Sequence, residues 1–160
     1  MNTVTTAQTA DKRSMYDLLC RQIREITGDV PYLTANLANA SALLNDTLKE
    51  INWVGFYLME DGKLVLGPFQ GKLACVEIQV GKGVCGTAVL RDETVLVKNV
   101  HEFPGHIACD SASNSEIVLP IHRDGRILGV LDIDSPVLAR FDEEDREGLA
   151  AFVRVLEENL

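Results

Sequence analysis

Three cysteines, Cys75, Cys85 and Cys109, stand in polar, glycine-bearing sequence, where a thiol is better placed for redox chemistry than for packing. Cys109 lies in His106-Ile107-Ala108-Cys109-Asp110-Ser111, loop-like sequence in which a thiolate can meet a substrate. Cys85 follows Gly81-Lys82-Gly83 at a predicted helix start, whose backbone N–H groups would lower a thiol pKa. Cys75 precedes alternating strand sequence. A sulfenic acid formed on one cysteine must be captured by a second thiol before the site can be reduced again, and either Cys75 or Cys85 could resolve an oxidised Cys109. Cys20 lies in a helical pattern and reads as structural. There is no CxxC pair, which disfavours a thioredoxin-like oxidoreductase. Cys75, Cys85, Cys109 and His106 also lack the short knuckle spacings that pre-form a zinc site, so no metal is expected.

Glu116, Asp132 and Asp134 interrupt apolar strand sequence: Glu116 precedes Ile117-Val118-Leu119-Pro120, and the two aspartates follow Leu128-Gly129-Val130-Leu131. Residues two apart share one face of a strand, so both aspartates point the same way. Three converging carboxylates are costly unless a cation or retained protons offset them, and a small ligand carrying an ammonium group would do so. The plainer alternative leaves them at solvent-facing strand ends. Trp53 and Tyr57 alternate in phase with Gly55 and would either wall an apolar pocket or pack as ordinary core. His106 is placed to tune Cys109 or give it a proton, or is a locally bonded loop histidine; His101 and His122 take no role.

The elements that must position these groups follow from periodicity. Met15, Leu18, Leu19, Ile23 and Ile26 predict an amphipathic helix over 12–27 that stops at Gly28, and Leu33, Leu37, Ala40, Leu44 and Leu48 predict a second after Pro31. Residues 51–59 and 63–69, joined at Glu60-Asp61-Gly62, predict a hairpin. A short strand near 75–80, a short helix over 84–90 and a strand at 94–97 come next. Residues 98–114 predict a long loop, and 116–121 with 126–133 a second hairpin about His122-Arg123-Asp124-Gly125. Asp142 is the expected N-cap of a last helix burying Leu149, Phe152, Val153 and Leu156. Helices at both ends with hairpins between them predict an α+β fold, a mostly antiparallel sheet flanked by N- and C-terminal helices.

A chain of 160 residues, 46% hydrophobic, fits one domain spanning 1–160 with a full core. A formal charge of −9 without a basic cluster opposes binding to nucleic acid or anionic membranes. The N-terminal residues lack a signal-peptide pattern and no run is long and apolar enough to span a bilayer, so the expected location is cytoplasmic.

Gly81-Lys82-Gly83-Val84-Cys85-Gly86-Thr87-Ala88, the run from His106 through Cys109 and Glu116 to Val118, and Leu128-Gly129-Val130-Leu131-Asp132-Ile133-Asp134-Ser135 together resemble the free methionine-(R)-sulfoxide reductases of the GAF-domain type. The resemblance runs over nearly the whole chain. It implies a GAF-like antiparallel sheet of about six strands flanked by helices, as a homodimer without a cofactor. It implies that Cys109 is the nucleophile toward free methionine-(R)-sulfoxide, that Cys75 is the principal resolving cysteine and forms a disulfide with Cys109, and that Cys85 is auxiliary. Thioredoxin is the implied reductant. By the same resemblance Asp132 and Asp134 hold the substrate's amino group, Glu116 gives a proton to the sulfoxide oxygen, and Trp53 and Tyr57 surround the methyl group. A stand-alone small-molecule or redox sensor is the non-enzymatic alternative, and a thiol peroxidase would leave the aspartates without a purpose.

Overall fold

The structure, a computed structural model, describes residues 3–106 and 111–160. Two helices, α1 (Thr3–Thr27) and α2 (Leu33–Thr47), precede β1 (Trp53–Glu60), β2 (Lys63–Gly71) and β3 (Glu77–Gln79). Next come α3 (Gly83–Arg91), β4 (Val95–Val97), β5 (Ser115–Arg123), β6 (Arg126–Ser135) and α4 (Glu143–Glu157). The six strands form one sheet in the order β3-β2-β1-β6-β5-β4, every neighbouring pair antiparallel. This is the expected α+β arrangement. Both predicted hairpins form, and each turn places its Asp and Gly at positive φ, Asp61 and Gly62 in the first, Asp124 and Gly125 in the second. That twist matches the twist of the flanking strands.

β1 sorts its side chains by period two. Val54 and Phe56 enter the larger core with Ile117, Leu119 and Ile121 of β5 and Leu131 and Ile133 of β6. α1, α2 and α4 cover that face through Leu19, Ile23, Leu37, Leu44, Leu149, Phe152 and Leu156. The alternate residues Trp53, Tyr57, Val118 and Val130 face a second cluster, which α3 closes with Val84, Cys85 and Ala88. β5 and β6 are thus buried on both faces, which is why their sequence is apolar without alternation.

Two expectations change in detail. The apolar stripe of α1 is narrower than its spacing suggests: Leu18 is 47% and Ile26 37% exposed, while Tyr16 is buried instead. Gly148 of α4 explains this, since a Cβ there would fall 2.2 Å from the Tyr16 ring, so the ring can lie directly on α4. Within the predicted loop, Val100–Glu102 forms a 3-10 turn capped by the Asn99 side chain, which accepts from the His101 N–H at 3.0 Å. Asp142 caps α4 as expected, accepting from the N–H groups of Glu144 and Asp145 at 3.0 Å each. Among the described residues no helix is long and apolar enough to cross a membrane.

Candidate functional site

Register brings the acidic and aromatic residues together. β1 sets Trp53 opposite Asp134 and Gly55 opposite Asp132, and β5 sets Glu116 opposite the same Asp134 and Val118 opposite Asp132. All of these therefore share the sheet face that α3 covers. Between the sheet and α3 lies a pocket of about 520 Å³, measured out to its open mouth, lined by Trp53, Tyr57, Cys85, Glu116, Asp132 and Asp134.

The aromatic wall depends on a missing side chain. A Cβ on Gly55 would stand 2.2 Å from the Cβ of Phe69, so only glycine lets β2 close in. Phe69 then stacks on Trp53 with centroids 5.1 Å apart, and Trp53 on Tyr57 at 5.9 Å. The same rings anchor the segment after β2: Trp53 Nε1 donates to the Lys72 carbonyl at 3.2 Å, and the Tyr57 hydroxyl donates to the Cys75 carbonyl at 3.0 Å. Cys75 is disulfide-bonded, whereas Cys20 and Cys85 are free thiols. Cys109 lies outside the described residues. The residues that follow it are fixed to the site: Asn52 Nδ2 donates to Ser113 Oγ at 3.1 Å, and the Asn114 N–H donates to the Ser135 carbonyl at 2.7 Å.

α3 supplies the opposite wall. Gly81 and Gly83 take positive φ in the turn that starts it, and a Cβ on Gly86 would lie 2.3 Å from the Gln79 carbonyl oxygen, so the first turn sits tightly against the end of β3. No side chain caps this helix. Its first residues, from Lys82 to Cys85, line the pocket, and the partial positive charge of the helix N-terminus faces the carboxylates across it.

Burial sets the protonation states. Glu116 and Asp132 are each 6% exposed, so neither is a solvent-facing strand end. Burial, and then the negative charges of Asp132 and Asp134, push the Glu116 carboxyl well above the ordinary range, which favours its protonated form. Burial raises Asp132 too, while hydrogen bonds with Glu116 and Cys85 pull it back. Asp132 Oδ1 accepts no hydrogen bond and is buried. Cys85 departs from its expectation: although it occupies the first turn of α3, burial and the charges of Asp132, Glu116 and Asp134 drive its pKa well up. The helix N-terminus does not overcome burial and the neighbouring acidic groups, and Cys85 remains a thiol. His106 reaches the pocket, and burial followed by the charge of His101 lowers its pKa, leaving a neutral imidazole.

The structure brings Trp53, Tyr57, Cys85, Glu116, Asp132 and Asp134 to one pocket, with the Cys75 segment tied to its wall. Sequence reasoning missed Lys82 and Ser113. Gly81-Lys82-Gly83 was visible as a break before a helix, but a short helix carries no mark of the sheet face it will cover.

Residues 9–158 match the model of the GAF domain family. The free methionine-R-sulfoxide reductase of Escherichia coli is 55% identical over 94% of this chain and 91% of its own length. Protein YtsP of Bacillus subtilis is 56% identical over 96% of this chain and 95% of its own length. The structure of fRMsr of Staphylococcus aureus in complex with substrate superposes with a TM-score of 0.87 at 55% identity, covering 91% of this chain and 95% of that one.

Proposed function

We propose, from the premise that this chain belongs to the GAF-domain family of free methionine-R-sulfoxide reductases, that it reduces free L-methionine-(R)-sulfoxide to L-methionine through a cysteine sulfenic acid and a disulfide, with thioredoxin as reductant. One observation carries this reading: a buried carboxylate set faces an uncapped helix N-terminus across a pocket walled by aromatic rings. Such a site fits a zwitterion with a sulfur-bearing side chain. The substrate ammonium meets Asp132 and Asp134, and the open Oδ1 of Asp132 accepts one of its protons. The α-carboxylate lies at the first turn of α3, and the methyl group lies against Trp53 and Tyr57.

Chemistry follows from this pose. The Cys109 thiolate attacks the sulfoxide sulfur while Glu116, held protonated, gives its proton to the oxygen, which therefore does not leave as a bare anion. Oxygen passes to Cys109 as a sulfenic acid, and methionine departs carrying the sulfur lone pair. The Cys75 thiol then attacks the sulfenic sulfur, its proton leaves with the hydroxyl as water and a disulfide forms. The disulfide at Cys75, with Cys20 and Cys85 free, supports Cys75 as the resolving thiol and Cys85 as auxiliary. A thioredoxin dithiol reduces the bridge by exchange. The unit acts as one domain over 1–160, as a cytoplasmic homodimer.

A methionine sulfoxide inside a polypeptide carries a neutral amide in place of the ammonium, so it has nothing to offer the aspartates. NADPH consumption with thioredoxin and thioredoxin reductase tests this on the free R epimer, the S epimer and the N-acetylated R epimer. Turnover confined to the free R form is expected. No turnover with any of them would discard the reductase reading in favour of a ligand sensor.

A further inference from the structure

The pocket floor offers a ligand set that the proposed reduction does not use as such. The Sγ of Cys85 and one carboxylate oxygen each from Glu116 and Asp132 lie within 4.8 Å of one another, on α3, β5 and β6, and all three residues are buried. Independently of that clustering, Asp132 Oδ1 is buried without a hydrogen-bond partner. That oxygen is open to a positively charged partner, although the carboxyl group as a whole hydrogen-bonds with Glu116 and Cys85.

We propose that Cys85, Glu116 and Asp132 form a binding site for a single thiophilic divalent cation of the Zn²⁺ class. One sulfur with two carboxylates suits zinc or cadmium; magnesium and calcium prefer all-oxygen shells of six or more ligands. Metal bonds of about 2.0–2.3 Å require the ligand atoms to approach to about 3.5 Å, a side-chain adjustment of roughly an ångström that leaves the backbone in place. All three residues line the pocket, which leaves room for a further ligand from solvent. Lys82, the cation nearest in sequence to this floor, is exposed and can extend into solvent. The cation occupies the place of the substrate ammonium, so cation and substrate exclude each other; this exclusion rests on the function proposed above, whereas cation binding does not.

The test uses the full chain with its Cys75 disulfide intact, in which Cys20 and Cys85 are the free thiols among the described residues. Titration with Cd²⁺ should produce the ultraviolet sulfur-to-cadmium band with one equivalent bound, and Mg²⁺ and Ca²⁺ should leave it unchanged. Cys20→Ser should keep the band and Cys85→Ser should lose it. The near-isosteric Asp132→Asn and Glu116→Gln should each weaken binding at least about tenfold, because loss of a direct ligand costs no less than loss of an outer-sphere partner. A band that survives Cys85→Ser, disappears with Cys20→Ser or ignores both carboxamide variants overturns the site. Free L-methionine-(R)-sulfoxide should displace Cd²⁺; retention at saturating sulfoxide overturns the exclusion. A failed reductase assay with Cd²⁺ still held by Cys85 would sink only the catalytic reading.

Discussion

Glu116 and Asp132 are two carboxyls in one pocket, and their surroundings separate their tasks. Glu116, with Asp132 and Asp134 both bearing on it, keeps its proton and can act as an acid; Asp132 keeps an open oxygen for a cation. A carboxyl whose pKa is raised by folding adds stability that is complete below its unfolded pKa, about 4.3, and is lost as pH rises through the folded value. Glu116→Gln should therefore raise the melting temperature at pH 7 to 8, by about 2–4 °C per kcal/mol relieved, with the gain vanishing near pH 4. In kinetics the same variant should lower the methionine-forming step by roughly 10²- to 10⁴-fold and remove its decline at alkaline pH. Equal stability at both pH values would show that the carboxyl is not strained. The thiols divide in a different way: Cys109→Ser should abolish reduction, whereas Cys75→Ser should still release a first equivalent of methionine and lose thioredoxin-linked turnover. Unimpaired turnover of Cys75→Ser would pass the resolving role to Cys85.

At the scale of elements, the sheet side of the site is legible in the sequence because strand periodicity is strict: Asp132 and Asp134 share a face by spacing, and the second Asp-Gly turn fixes the hairpin that sets Glu116 beside them, whereas Trp53 comes there through the β1–β6 pairing between the two hairpins. The helix side is not. Nine residues of α3 give no period long enough to say which face they cover, so the facing of its N-terminus toward the carboxylates, and with it the raised pKa of Cys85, emerges only from packing. Tyr16 on α1 was hidden for a related reason, since its burial depends on Gly148 of a helix at the other end of the chain. The placement of α3 can be tested through Gly86, whose added Cβ would meet backbone atoms, the Gln79 carbonyl oxygen at 2.3 Å and the Gly81 nitrogen at 3.0 Å. Gly86→Ala should lift the first turn of α3 away from β3, cost about 1–3 kcal/mol and raise KM for the free sulfoxide more than it lowers kcat. A stability loss with KM unchanged would place the substrate carboxylate elsewhere.

Over the whole molecule, the sheet separates a catalytic face from a supporting one, and the two ends of the chain meet on the supporting side. Tyr16 of α1 donates its hydroxyl to Asp145 of α4 at 2.7 Å, and the Lys12 ammonium reaches Asp145 at 2.8 Å and Asp142 at 2.9 Å. The Asp145 side chain is fully buried, which makes its partners matter, although Lys12 itself is partly exposed and its contribution is correspondingly screened. Partial burial works to raise the Asp142 pKa, but Lys12 and the Asp145 backbone N–H outweigh it and hold the carboxyl below its ordinary value. A carboxyl lowered in this way adds stability that is present above its unfolded pKa of about 3.9 and is lost as pH falls through the folded value. Lys12→Met keeps the aliphatic stem and removes the charge. It should cost about 1–2 kcal/mol at neutral pH, lower the melting temperature by about 2–4 °C for each kcal/mol, and move the midpoint of acid unfolding to higher pH. Because α1 and α4 pack on the face away from the pocket, kcat/KM for the free sulfoxide at 25 °C should stay within about twofold of the unsubstituted chain. A variant that unfolds in acid with an unchanged midpoint would reduce the Lys12 contacts to a surface pair without effect, and a fall in kcat/KM without a fall in stability would mean that the two faces of the sheet are coupled.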